Sequence, residues 1–238
     1  MKLHDCKALV IGGTSGIGLA AAVRLQQAGA RVVVLGRDPD RLAAAVDTLG
    51  GAAQGRRLDV LDRDAMSAAF AELAPFDVLV NAATGGERAV GAFLDMDLDG
   101  FEGSFRKLWG YVNSVHLGAP YLPDHGSIVL VSGSPARKCR PGMSAISTVG
   151  NAVEGFVRAV APELAPRRIN VVAPGVIDTP MFPVAGEQRT RLFEKATADN
   201  LIPRAGTPDE VAMAIQFAIE NDFVTGTTID VDGGALLP

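Results

Sequence analysis

One pattern repeats along this chain and restricts its possible folds. A short, continuous apolar run is followed by a longer stretch with apolar residues at helical spacing, and the pair then recurs. KALVIG (7–12) is the first such run, as expected of a strand buried on both faces. GIGLAAAVRLQQAG (16–29) follows, with Ala, Leu and Val on a helical period and a closing Gly. RVVVL (31–35) reads as a strand and DPDRLAAAVDTLG (38–50) as a helix opened by Asp-Pro. RRLDV (56–60), FDVLVNA (76–82), GSIVLVSG (126–133), RINVVAP (168–174) and TGTTIDVDGG (225–234) continue the strands. RDAMSAAFAEL (63–73), a long helix from about 98 to 122, a helix over about 143–164 and TPDEVAMAIQFAI (207–219) continue the helices. Such alternation predicts an α/β fold: a Rossmann-type, doubly wound parallel sheet with helices on both faces and right-handed crossovers. No linker or internal repeat divides the chain, so residues 1–238 read as a single domain. The least patterned stretch, 180–206, reads as a mobile flap on the substrate side.

Composition narrows the partners. The formal net charge of −5 argues against a nucleic-acid partner, because a phosphate backbone calls for a basic face. No apolar run approaches the ~20 residues of a membrane span. The start, MKLHDCKALVIGG, has an acid early and too short an apolar run for a signal peptide, so a cytoplasmic protein is expected. Cys6 and Cys139 read as free thiols, and His4, His116 and His125 are scattered, with no metal-ligand spacing.

GGTSGIG (12–18) stands between the first strand and the first helix. Close approach of backbone to a pyrophosphate needs residues without Cβ, and the helix N-terminus adds free N–H groups and a partial positive charge. Gly12, Thr14, Ser15, Gly16, Ile17 and Gly18 are therefore candidate cofactor ligands. The second strand ends VVVLGRDPD. An acid there would bind the ribose of NAD, but Arg37 stands there instead, and its fork suits a 2′-phosphate. NADP(H) is the expected cofactor. Asp38 either repels that phosphate or caps the helix starting at Pro39, the cap being the expectation.

With these segments in order, the chain resembles the short-chain dehydrogenase/reductase family nearly end to end. The family's TGxxxGxG appears as IGGTSGIG, with Ile11 in the place of Thr. The resemblance implies adenine contacts at Asp59 and Val60. It implies a nicotinamide-holding segment in PGVIDT, with Pro174, Gly175, backbone contacts at Ile177 and a hydroxyl at Thr179. The family's NNAG corresponds to Asn81, Ala82, Ala83 and Thr84, and RAGTPDEVA (204–212) and VTGTTIDVDGG (224–234) match its C-terminal signature. The resemblance also implies a homodimer or homotetramer. Trp109 reads as a core or interface residue rather than a substrate platform.

The same alignment implies an unusual reaction centre. The family's catalytic Ser falls at Gly133, between Ser132 and Ser134. Its Tyr and Lys fall at Ile146 and Gly150, and its helix Asn falls at or near Lys107. A nicotinamide carries hydride, while the protein supplies position and a proton. A Tyr beside a Lys ammonium does this well, and Ile cannot. Lys107 is expected to fill the space vacated at Gly150 and to hold the ribose or donate a proton. The other reading places it on an exposed helix surface. Ser132 and Ser134 are further candidates for polarising a carbonyl. Tyr111 is expected in ordinary helix packing, and Arg137, Lys138 and Arg140 either meet an acidic substrate or partner or form a solvated loop. Two functions stay open: an NADP(H)-dependent oxidoreductase acting on an unidentified small molecule (an activated carbonyl, enone or quinone), or a catalytically silent NADP(H)-binding regulator or non-catalytic subunit.

Overall fold

Each continuous apolar run becomes a strand with both faces covered. A computed structural model describes residues 1–50, 53–84, 86 and 88–237; positions 51, 52, 85, 87 and 238 of the expected single domain lie outside the described residues. Seven strands form one sheet: β1 (Lys7–Ile11), β2 (Arg31–Gly36), β3 (Gln54–Arg57), β4 (Val78–Asn81), β5 (Ser127–Val131), β6 (Arg168–Pro174) and β7 (Thr228–Val231). Every pairing is parallel, in the order β3-β2-β1-β4-β5-β6-β7. Among the described residues, eight α-helices accompany it: α1 (Gly16–Gln27), α2 (Pro39–Leu49), α3 (Arg63–Leu73), α4 (Leu98–Ser104), α5 (Arg106–Gly118), α6 (Ser144–Leu164), α7 (Gly186–Thr197) and α8 (Pro208–Glu220). Two apolar cores flank the sheet. One joins Val10, Val34 and Val80 to Leu25 and Ile215 of the helices on one face. The other joins Leu9, Leu79 and Leu130 to Phe70 and Val115 on the opposite face. Alternate residues of a strand therefore serve opposite cores, which is why the runs are apolar throughout. The predicted doubly wound α/β fold is the observed one.

Two expectations need correction, and the expected flap gains a helix. The third strand spans Gln54–Arg57 rather than 56–60. All its residues are exposed at the sheet edge, whereas Leu58 and Val60 enter the core after the ladder to β2 has ended. Apolar residues marked the descent into the core and not the strand. The long helix expected over 98–122 is interrupted at Phe105, after a segment containing Gly100 and Gly103, and stops before a 3-10 turn at Ala119–Tyr121. Glycine's backbone entropy weakens that first part, and Ser104 Oγ, which accepts from the Ala89 amide, ties its end to a loop. Finally, 180–206 carries α7. Its buried residues are Phe193 and Thr197 alone, too few to leave an apolar period in the sequence. Arg189 clamps this helix through Asp178 and the carbonyls of Phe182, Val184 and Thr179, with its guanidinium over the Phe193 ring.

The order reverses between β1 and β4, and a crevice opens there at the carboxyl ends of the strands. Close packing makes this crevice possible. Gly12 has φ +75°, and a Cβ on it would lie 2.7 Å from the Ala83 amide nitrogen. A Cβ on Gly18 would collide with the Gly12 carbonyl oxygen, so helix α1 approaches β1 as closely as backbone permits. Gly18→Ala should push α1 off the strand end, with a stability loss of about 1–3 kcal/mol and a lower Tm in thermal unfolding.

Candidate active site

The crevice is a groove of about 230 Å³. Its floor is the glycine loop, with Gly12, Thr14, Ser15, Gly16, Ile17 and Gly18 all on the wall as expected. Ser15 precedes α1 in extended conformation and makes no side-chain cap, whereas Asp38, Asp62 and Thr207 cap α2, α3 and α8. The first amides of α1 are therefore left without a side-chain cap where Gly16, Ile17 and Gly18 line the groove. That cradle fits a dinucleotide pyrophosphate.

At the far end, Gly36 passes beneath the Thr14 methyl, where a Cβ would be 2.7 Å away. Arg37 lines the groove there, joined by Arg41 one helical turn later. Asp38 also lies at this end, but its carboxylate accepts from the amides of Asp40 and Arg41 at 3.0 Å. It is committed to the helix terminus, as expected. Two exposed guanidiniums thus face a site fit for a 2′-phosphate.

Val60, Ala82, Ala83 and Thr179 complete the expected wall. Other expected ligands stand behind it. Asn81 is fully buried, accepting from the Ala83 amide and donating to Ser114 Oγ, both at 3.0 Å. Asp59 Oδ1 accepts from the Leu61 amide and shapes the turn after β3. Pro174 ends β6, Gly175 packs against Asp232, and Ile177 is buried and bridged to Gly206. These residues hold the wall in place; the structure does not bring their side chains onto it.

A second, smaller cavity of about 60 Å³ adjoins the groove, and Thr84 lines both. The three positions at which the resemblance looks for serine, tyrosine and lysine, namely Gly133, Ile146 and Gly150, lie together on its wall. Lys107 lies there too, so the exposed-surface reading of this lysine is excluded. Its ammonium donates to the Ser132 carbonyl at 3.3 Å and sits 5.6 Å from the centre of the Tyr111 ring. Burial first, and the Arg88 charge second, lower its pKa to about 7. The side chain keeps some exposure through the cavity, but the protein around it solvates an ammonium poorly.

Helix α5 holds Lys107 by buried hydrogen bonds further along. Tyr111 donates to the Val131 carbonyl at 2.7 Å, Asn113 to the Val60 carbonyl at 3.0 Å, and Ser114 receives Asn81. A Cβ on Gly110 would be 2.5 Å from Val60, so the helix lies directly on that loop. Burial pushes the Tyr111 phenol up, and its proton is already given to a carbonyl. Tyr111 is packing, as expected, and not an acid.

The serines fare differently. Ser132 Oγ lines the cavity and donates to the Gly150 carbonyl at 3.2 Å. Ser134 starts a buried 3-10 turn, Ser134–Ala136, and is off the cavity wall. That turn packs onto α6 where a Cβ at Gly150 would lie 2.8 Å from the Ala136 Cβ. Arg137 bonds Glu154 and Asp230, and Lys138 bonds the Ala235 carbonyl. These basic residues fasten the loop to α6 and β7 and are not simply solvated. Sequence reasoning missed Arg41, Thr84 and Arg88. Arg41 had a signal in its four-residue spacing from Arg37; Arg88 sits in a loop without pattern. Among the described residues, no group of acids, histidines or cysteines is placed to hold a metal ion, and no helix is long and apolar enough to cross a membrane.

Comparison with known proteins agrees with this architecture. The family described as enoyl-(acyl carrier protein) reductase matches residues 12–235. The short-chain reductase protein NovJ of Streptomyces niveus is 33% identical, covering 97% of this chain and 94% of its own. The 3-oxoacyl-[acyl-carrier-protein] reductase FabG of Thermotoga maritima is also 33% identical, with 100% of both chains covered. A solved small-chain dehydrogenase in complex with NADPH superposes with a TM-score of 0.82 at 30% identity, covering 98% of this chain and 100% of the other.

Two measurements test the site. Arg37→Ser should raise the Kd for NADPH by about 10–100-fold, the worth of hydrogen bonds to a charged group, while NADH binding changes little; titration calorimetry would show both. Lys107 carries a folded pKa of about 7 against 10.5 for the free side chain. The cost of burying its charge is therefore complete below pH 7 and fades as pH rises to 10.5. Lys107→Met should raise Tm more at acidic than at strongly alkaline pH, by about 2–4 °C for each kcal/mol relieved.

Proposed function

This chain belongs to the short-chain dehydrogenase/reductase family, and from that premise we propose that it is an NADP(H)-dependent oxidoreductase with a non-standard reaction centre built around Lys107. The observation that carries this reading is the position of the Lys107 ammonium. It lies in the cavity beside the groove, on the same wall as Ile146 and Gly150, with its pKa brought to about 7. A general acid works best when its pKa is near the operating pH. The neighbouring complex with NADPH and the paired guanidiniums of Arg37 and Arg41 support NADP(H) as the cofactor.

When bound, the cofactor supplies or accepts hydride. The chain's own groups do the rest. The glycine loop and the uncapped amides of α1 would hold the pyrophosphate, and Arg37 and Arg41 the 2′-phosphate. Thr179, Ala82 and Ala83 would hold the nicotinamide half along the groove wall, next to Thr84, which the small cavity shares. Lys107 then holds a substrate oxygen and delivers its proton there as negative charge develops. The Ser132 hydroxyl, already given to the Gly150 carbonyl, serves the shape of the pocket. A single ammonium gives less help than a phenol with its lysine, so activated carbonyls, enones and quinones fit this centre better than simple ketones. A homodimer or homotetramer in the cytoplasm is the expected setting, and Trp109, half exposed on α5, suits an interface.

The silent NADP(H)-binding protein is the second reading, favoured by one observation. The 3-10 turn at Ser134–Ala136 occupies the space a side chain at position 150 would need. A centre closed in this way suits a regulator or a non-catalytic subunit.

The deciding experiment is NADPH oxidation against ketones, enones and quinones with the wild type and Lys107→Met. Turnover should fall by about 10²–10⁴ in the variant with NADPH affinity retained. In the wild type, kcat/KM for reduction should decline as pH rises through 7, where Lys107 loses its proton beside Arg88, Tyr111 and the Ser132 carbonyl. Equal turnover by the two proteins would remove Lys107 from the chemistry. Tight NADPH binding with no turnover of any substrate would favour the silent reading.

A further inference from the structure

The small cavity is rich in donors and poor in acceptors. Lys107 has three N–H bonds and gives one to the Ser132 carbonyl. Arg88 lies on the same cavity wall, near the surface, with five N–H donors. Its one side-chain hydrogen bond among the described residues goes to the Met181 thioether, a weak acceptor, at 2.9 Å. Neither cation is paired with a carboxylate among the described residues. The hydroxyls do not balance them: Ser104 Oγ donates to the Gly100 carbonyl and accepts from the Ala89 amide, and Ser132 Oγ donates to the Gly150 carbonyl. Pro135, Ile146 and Val149 add apolar wall, and Thr84 adds one more hydroxyl. Two cations that repel each other, in a chain of net charge −5, converge on a space of about 60 Å³.

We infer that Arg88 anchors the carboxylate of a short oxo-acid substrate, with Lys107 facing the substrate carbonyl, which then lies beside the cofactor groove. This rests on the oxidoreductase reading for its outcome, but not for the binding itself. A carboxylate is acceptor-only and complements unused N–H donors, whereas an alcohol or an amine brings donors of its own. Arg offers a planar fork to the carboxylate, and the Lys107 ammonium stays free to reach the adjacent carbonyl oxygen. The volume is roughly that of four to six water-sized positions, enough for a small acid and too small for a long acyl chain. Thr84 lines both spaces, so a ligand held by Arg88 abuts the groove. Met181 lies on the groove wall as well, and its contact with Arg88 places the guanidinium at the junction.

The test is titration calorimetry in phosphate-free buffer with pyruvate, acetoacetate and their methyl esters, with and without NADP⁺. The proteins are the wild type, Arg88→Met, Arg88→Lys and Lys107→Met. Each acid should bind the wild type at least about tenfold tighter than its ester. Arg88→Met should abolish that preference with NADP⁺ affinity unchanged, and Arg88→Lys should keep part of it. Equal affinity for acid and ester overturns the inference, as does a preference that survives Arg88→Met or the lack of saturable binding by either acid. Failure of NADP⁺ to bind would count against the oxidoreductase reading alone, because the titrations without cofactor read the anion site separately.

Discussion

The structure depends on how closely backbone can approach backbone at the end of β1. Gly12 lies against Ala83, and Gly18 lies against the Gly12 carbonyl, with no side-chain atom between. These two contacts bring α1, β1 and β4 together at the reversal of strand order. Its consequences are local and cumulative. The first amides of α1 open into the crevice, uncapped by Ser15. Asn81, buried beneath the loop after β4, seats that loop through the Ala83 amide and passes the constraint to α5 through Ser114. The groove is the space left when backbone alone fills the end of the sheet.

Helix α5 carries that order to the second cavity. Its buried hydrogen bonds to Val131, Val60 and Asn81 set its height and rotation. They place Lys107 under the end of β5, where the Ser132 carbonyl receives it. The turn at Ser134–Ala136 has settled onto α6, held by Arg137 through Glu154 and Asp230. The cavity is therefore smaller and more positive than the sequence alone conveys. Its electrostatic cost falls on Lys107, whose ammonium is poorly solvated and faces the charge of Arg88. A group under such strain holds its proton weakly, and this makes it useful to a reaction near neutral pH.

Most elements were legible because their causes are local. Helix α3 has the expected ends, Arg63 and Leu73, since Asp62 caps one end and apolar spacing carries it to the other. Asp38 and Thr207 announce α2 and α8 in the same way. Errors arose where local causes and tertiary burial diverged. Leu58 and Val60 drew the third strand too far, because burial marks contact with the core whether or not the chain is in a ladder. Helix α7 was hidden because it buries two residues and relies on Arg189 to reach back to 178–184.

The sequence by itself determined the alternating parallel sheet, the glycine loop at its switch point and the arginine at the far end of the groove. Each is written in neighbouring residues: periodicity, a cap, or a missing Cβ. Tertiary structure alone brought Arg88 to the small cavity, where the resemblance had already gathered Lys107, Gly133, Ile146 and Gly150. Lys107, Gly133, Ile146 and Gly150 are far apart in the chain, and Arg88 stands in a loop with no periodicity. A charge's environment is set by every atom within a few ångströms, whichever segment supplies it, and so the conversion of Lys107 from an ordinary lysine to one titrating near pH 7 had no signature in its own neighbourhood.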